Sequence, residues 1–288
     1  MAVELKGKAV AEVLREHIQS GVAKWKAQSI IPRMVTILVD GDPASLVYAE
    51  QKGRIANKLG IEYELKRFPA NVTERQLIDA IHRFNKDANM HGIMIELPLP
   101  SHISTEAVTA EVAPEKDVDG LTRFNRLANL SGEAGIYPAT PLACVRLLKH
   151  YGYSLSGKDV VLVGCGKTVG MPLMHLLLRE NATVTVCHAG TKDLRAHLAK
   201  ADIAFVAVGK ADLITPDMVH PNLLIIDAGI NETPDHKIVG DVSPEVANYV
   251  AAMSPTPGGV GTVTTMQLFA NLLTAMENQV SVKELVTA

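Results

Sequence analysis

An amine, a phenol and a hydroxyl share one short stretch of this chain: Lys52, Tyr48 and Ser45 in Pro43-Ala44-Ser45-Leu46-Val47-Tyr48-Ala49-Glu50-Gln51-Lys52. Asp42 and Pro43 read as the cap and the first residue of a helix. At about 100° per residue the three polar side chains fall within an arc roughly 60° wide, and Tyr48 and Lys52 stand one turn apart. An amine held among other polar groups can pass a proton to or from a reacting molecule. A helix lysine is otherwise a solvated charge whose stem a tyrosine covers, so the surrounding chain decides between the two.

Carboxylates supply the next candidates. Glu96 opens Glu96-Leu97-Pro98-Leu99-Pro100, and Asp117 and Asp119 flank one apolar residue in Pro114-Glu115-Lys116-Asp117-Val118-Asp119-Gly120. Alone, that second loop also fits a capped turn with solvated acids. Gly164-Cys165-Gly166-Lys167-Thr168-Val169-Gly170 follows an apolar run and opens a helix. Glycines there let a backbone approach a dinucleotide phosphate, and the helix amino end supplies N–H donors and positive potential. The spacing is one residue longer than the usual fingerprint. Pro257, Gly258, Gly259 and Gly261 form a side-chain-poor loop suited to lying against a flat ligand. Gly152-x-Ser154 ends in Ser156 and makes no serine-hydrolase elbow.

The elements that must position these groups alternate. A helix through Val10, Leu14, Ile18 and Trp25 precedes a strand at 35–39, a helix at 44–59, a strand at 61–65, a helix at 73–84 and a strand at 92–95. That order predicts a parallel, helix-covered sheet, with ligands beyond the carboxyl ends of its strands. Both Lys52 and Glu96 then face one cleft. After a break at Tyr137-Pro138-Ala139-Thr140-Pro141, strands at 158–163, 183–187, 203–208 and 223–227 predict a Rossmann-type nucleotide domain. The fold class is α/β with two domains: residues 1–140, completed by a carboxy-terminal helix within 262–288, and residues 141–261.

With 288 residues, 47% of them apolar, the chain can fill two cores. A formal charge of −3 with no long block of one sign gives no electrostatic basis for a nucleic acid or anionic membrane partner. Glu4, Lys6 and Lys8 stand where a signal peptide would be apolar, and no run of about 18 apolar residues occurs. The expectation is a soluble, cytoplasmic protein. Cys144, Cys165 and Cys187 are widely spaced and the histidines show no ligand pattern, so neither a disulfide framework nor a metal site is expected.

Several of these segments, together with Asp227-Ala228-Gly229-Ile230-Asn231 and Gly240-Asp241-Val242, resemble the methylenetetrahydrofolate dehydrogenase/cyclohydrolase family over essentially the whole chain. The resemblance implies oxidation of methylenetetrahydrofolate by a nicotinamide cofactor and hydrolysis of the methenyl product to 10-formyltetrahydrofolate, in one-carbon metabolism and purine biosynthesis. It implies that Lys52 transfers the proton in hydrolysis, that Tyr48 borders the folate and that Asp119 binds the pterin, whose ring N–H and exocyclic amine one carboxylate can accept together. Leu97, Pro98, Pro257, Gly258 and Gly259 become further substrate contacts in a cleft between the domains, and Asp117 becomes a loop organiser. Gly164, Cys165, Gly166, Lys167, Ala189 and Ile230 become cofactor contacts, and homodimers are usual in the family.

The chain also departs from the family. Glu96 replaces the usual glutamine, and a carboxylate beside Lys52 favours its ammonium form and leaves less free amine for hydrolysis. Cys165-Gly166 and Ala189 replace polar residues that hold the 2′-phosphate of NADP. Lys167 and Lys192 remain, and no acid ends the second strand to exclude that phosphate. NADP is the expected cofactor, with NAD the alternative. Rival readings are a dehydrogenase with weak or lost hydrolysis, a non-catalytic folate- or nucleotide-binding paralogue, and an amino-acid dehydrogenase, which would not need the 114–120 loop in this form.

Overall fold

The computed structural model describes residues 2–235 and 237–287, with side chains to residue 280; Met1, His236 and Ala288, the end of the expected 262–288 segment, lie outside the described residues. Along the chain run β1 (Val3–Glu4), α1 (Gly7–Ala27), β2 (Arg33–Val39), α2 (Pro43–Leu59), β3 (Glu62–Phe68), α3 (Glu74–Lys86), β4 (Gly92–Ile95), α4 (Thr105–Ala110) and α5 (Arg123–Ser131). Then follow α6 (Ala139–His150), β5 (Asp159–Val163), α7 (Gly170–Arg179), β6 (Thr183–Cys187), α8 (Leu194–Leu198), β7 (Ile203–Val206), β8 (Leu224–Asp227), β9 (Asn231–Glu232), β10 (Ile238–Val239), β11 (Ala252–Met253) and α9 (Val260–Thr287).

Two compact units result: Leu14–Pro138 with Leu268–Ala288, and Met1–Val13 with Ala139–Gln267. This differs from the sequence-based division at the amino terminus, where residues 1–13 group with the second unit. Val3 and Glu4 pair with Ala252 and Met253, and the Gly7 N–H donates to the Gly258 carbonyl at 2.8 Å. A two-residue strand has no periodicity to reveal such a partner.

The first unit holds a parallel sheet in the order β3-β2-β4. Alternate residues of β2, namely Val35, Ile37 and Val39, meet Leu77 and Ile81 of α3 and Ile93 and Ile95 of β4 in one core. The other face of β2 is buried as well, which is why the strand reads as an almost continuous apolar run. Asp42 caps α2 by accepting from the N–H groups of Ala44 and Ser45, Pro43 starts it, and Gly60 ends it at φ +80°. Gly53 inside α2 admits the Tyr63 ring, which a Cβ there would meet at 2.9 Å.

The second unit is a six-stranded parallel sheet ordered β1-β11-β8-β7-β5-β6. β5 has its sequence successor β6 on one side and β7 on the other, so the strand order reverses at β5/β7. In such sheets the crevice beyond the carboxyl ends at the reversal takes the ligand. A short antiparallel hairpin joins β9 and β10.

Candidate active site

Lys52 and Glu96 meet beyond the carboxyl ends of β2 and β4. The Lys52 Nζ donates to both Glu96 oxygens at 2.7 Å, and the two side chains are 13% and 9% exposed. The Glu96 N–H donates to the Ile37 carbonyl at 2.9 Å, so the sheet itself fixes where this carboxylate begins. Water is largely excluded, and removing either partner would strand a charge at a cost of about 3–5 kcal/mol. Half-buried Tyr48 stands one turn before Lys52 on α2. Ser45 does not join them as a reactive group: its hydroxyl donates to Asp42 Oδ2 at 2.6 Å within the helix cap. Leu97 packs on the sheet core and Pro98 is exposed.

The 114–120 loop brings Asp119 into the electrostatic reach of this pair. Its carboxyl is pushed up to about 7, first by burial, then by the charge of Asp117; Lys52 opposes the rise and Glu96 adds to it. Asp119 keeps part of its surface in solvent and forms no hydrogen bond with another residue among the described residues. Asp117 is its opposite. Buried at 4% exposure, it accepts from the N–H groups of Gly120, Leu121 and Thr122 at 2.9, 3.2 and 2.8 Å, and from the Asn125 amide at 2.9 Å. It therefore orders the loop. Gly120, at φ +72°, has no room for a Cβ against the backbone of Ile136 to Pro138.

Three contributors were not singled out from the sequence. Lys116, 5% exposed, spends its amine on the carbonyls of Phe84, Asn85 and Asp87 at the end of α3. Asn271 of α9 donates to the carbonyls of Val118 and Tyr137 at 2.8 and 3.0 Å, flanking Asp119. Tyr63 of β3 donates to the Ala49 carbonyl in α2 at 2.9 Å, and burial raises its phenol well above the ordinary range. A lysine in a loop and an amide in an apolar helix normally read as solvated groups, so only the buried context identifies the first two. A cavity of about 550 Å³ lined by Trp25, Arg33, His91 and Gln279 lies at the opposite, amino ends of the strands and holds none of these reactive groups.

In the second unit the expected cofactor residues gather at carboxyl ends of strands. Gly164, at φ +103°, ends β5, and a Cβ on it would strike the Ala207 carbonyl. Gly166 has open space where a Cβ would be, and Cys165, Gly166 and Lys167 are exposed. The cap residue of the following α7, Val169, makes no side-chain cap hydrogen bond. An open glycine before an uncapped helix end fits a phosphate. Ala189 follows β6 and is exposed, as is Ile230 after β8. Pro257 and Gly258 are exposed and Gly259 is buried just before α9, where a Cβ would meet the Pro255 carbonyl at 2.5 Å.

Residues 5–119 match the family model described as tetrahydrofolate dehydrogenase/cyclohydrolase, catalytic domain, and residues 138–280 match the one described as tetrahydrofolate dehydrogenase/cyclohydrolase, NAD(P)-binding domain. A bifunctional protein FolD of Heliobacterium modesticaldum is 50% identical over 95% of this chain and 96% of its own length. Among solved structures, the bifunctional dehydrogenase/cyclohydrolase FolD of Campylobacter jejuni superposes with a TM-score of 0.92 at 36% identity, covering 97% of this chain and 100% of that one. The Trypanosoma brucei enzyme, solved with NADP cofactor and an inhibitor, gives 0.91 at 32% identity over 97% of this chain and 98% of its own.

Proposed function

The chain belongs to the tetrahydrofolate dehydrogenase/cyclohydrolase family, and from that premise we propose that it oxidises 5,10-methylenetetrahydrofolate with NADP and hydrolyses the methenyl product to 10-formyltetrahydrofolate. The observation that carries this reading is the Lys52–Glu96 pair beside Asp119, an amine and a carboxyl acceptor in one water-poor corner. Asp119, which has no donor of its own, accepts the pterin N–H and exocyclic amine as a fork. Tyr48, Leu97 and Pro98 border the ring system; in the second unit Pro257, Gly258 and Gly259 offer a side-chain-poor backbone for folate. NADP supplies the hydride acceptor when bound. Gly164, Cys165, Gly166, Lys167, Ala189 and Ile230 would hold it, with the glycines and the α7 amino end suited to phosphate groups.

In hydrolysis a water oxygen bonds to the methenyl carbon, the water loses a proton, and one carbon–nitrogen bond then breaks with a proton delivered to the nitrogen. Lys52 moves these protons. Glu96 aims the amine. The bidentate contact also occupies that amine, which favours a second reading, in which hydrolysis is slow relative to oxidation. Mixing the protein with methylenetetrahydrofolate and NADP should produce the methenyl absorbance, which then decays as hydrolysis proceeds. No methenyl signal with either NADP or NAD overturns the assignment, and a signal that never decays leaves only the dehydrogenase. We further place the protein in the cytoplasm as a homodimer. Light scattering should then read about twice the 30.9 kDa of one chain.

A further inference from the structure

Asp227 and Asp241, 2% and 0% exposed, are buried carboxylates that no step above uses. Asp227 ends β8 and accepts from the N–H groups of Gly229, Asp241 and Val242 at 2.8, 3.2 and 3.0 Å. Asp241, fixed in this way, accepts from three consecutive N–H groups, those of Val208, Gly209 and Lys210, at 2.6, 3.0 and 2.8 Å. It also takes the Asn231 amide at 2.9 Å. The two glycines of the motifs are explained by the same network, because a Cβ on Gly229 would collide with the Asp241 carboxylate and one on Gly240 with that of Asp227.

One side chain thus ties the loop after β7 to the segment after β8, its neighbour in the sheet. The loop after β7 stands at the reversal of strand order, beside the glycines that end β5. On this immobilised backbone stand two large aliphatic side chains left in solvent, Val208 at 46% and Ile230 at 56% exposure. In the two strands themselves the apolar residues are buried, apart from half-buried Leu224. Aliphatic surface presented on a rigid frame, next to an uncapped helix end, is suited to the face of a flat ring.

We propose that Asp241 is a positioning residue for the nicotinamide cofactor: by clamping residues 208–210 to Asn231 it sets Val208 and Ile230 as an apolar wall for a ring of that cofactor. The inference rests on the NADP reading above. It adds Val208 as a contact and gives the Gly240-Asp241-Val242 motif a task.

Equilibrium binding of NADPH, followed by its own fluorescence, tests this without turnover. Val208→Ser, a change at an exposed position, should bind NADPH about 3- to 10-fold more weakly with an unaltered melting temperature. Asp241→Asn puts an amide N–H₂ against backbone donors. It should weaken NADPH at least about tenfold and raise the cofactor KM, with the folate KM within about twofold of wild type. In the double variant the serine should cost less than it does alone, since the wall is already displaced. A purely architectural Asp241 would lower the melting temperature and leave NADPH affinity in place, which overturns the proposal. So does Val208→Ser binding as wild type does, a result that stands even where Asp241→Asn does not fold. A wild-type protein that binds neither NADPH nor NADH refutes the cofactor reading itself.

Discussion

The two units each carry a pair of aspartates close in space, and they use them differently. Asp227 and Asp241 are saturated by N–H donors, three and four respectively. Asp117 is saturated in the same way, whereas Asp119, two residues on, takes none among the described residues. Desolvation does not separate the classes, since burial pushes Asp227 up to about 6 and Asp119 to about 7. Spare acceptor capacity does. A carboxylate filled by backbone amides is framework, and one left with open lone pairs in a water-poor site is prepared for a ligand that brings donors.

The strongest attack on that distinction is at the group Asp119 faces. Replacing Lys52 with methionine should slow methenyl hydrolysis by about 10²–10⁴-fold while the hydride step, assayed separately, falls far less. Asp117→Asn should lower the unfolding free energy by about 2–4 kcal/mol in urea titrations, because four donors lose a charged acceptor. If it raised the folate KM and spared stability, the two aspartates would have to exchange roles. Asp119→Asn should do the reverse, raising the folate KM about 10- to 100-fold with little change in stability.

Asp119 also carries a pH signature. Forked N–H donors need the ionised carboxylate, and with its pKa at about 7 the group must shed a proton to bind below that value. The wild-type folate KM should fall as pH rises from 6 to 8, and Asp119→Asn should abolish that slope. The smallest effect expected is at Glu96→Gln, where replacing the bidentate ion pair by a neutral amide holds the amine less tightly and should speed hydrolysis relative to oxidation by at most about tenfold. An unchanged hydrolysis rate would mean that the ion pair does not limit the proton transfer.

Much of the candidate site could be read from the chain alone, because regular elements carry it. Asp42-Pro43 announces α2, the apolar run announces β2, and the rule that ligands collect at carboxyl strand ends is enough to bring Lys52 towards Glu96. What stayed hidden depends on tertiary partners. α4 and α5 are short and have no counterpart among the expected elements, although Ser104 and Thr122 are the caps that mark their starts. β1 and β11 are two residues each and find one another across some 250 positions. Ser45 shares an arc with Tyr48 and Lys52 but is taken by the cap, a competition that angular position alone does not reveal. Lys116 and Asp241 are charged residues that the fold desolvates and then fills with partners, so residue type alone points the wrong way.

Asn271 has a bearing on how the molecule is made. Its amide holds the backbone on either side of Asp119, 153 positions back at Val118 and 134 back at Tyr137, and Gln279 holds the Glu115 carbonyl 164 positions back. Ribosomes extend chains at about 5–20 residues per second. The loop that carries Asp119 is therefore synthesised at least about seven seconds before the groups that pin it exist, and a nascent chain carrying Lys52, Glu96 and Asp119 still lacks the finished geometry around them.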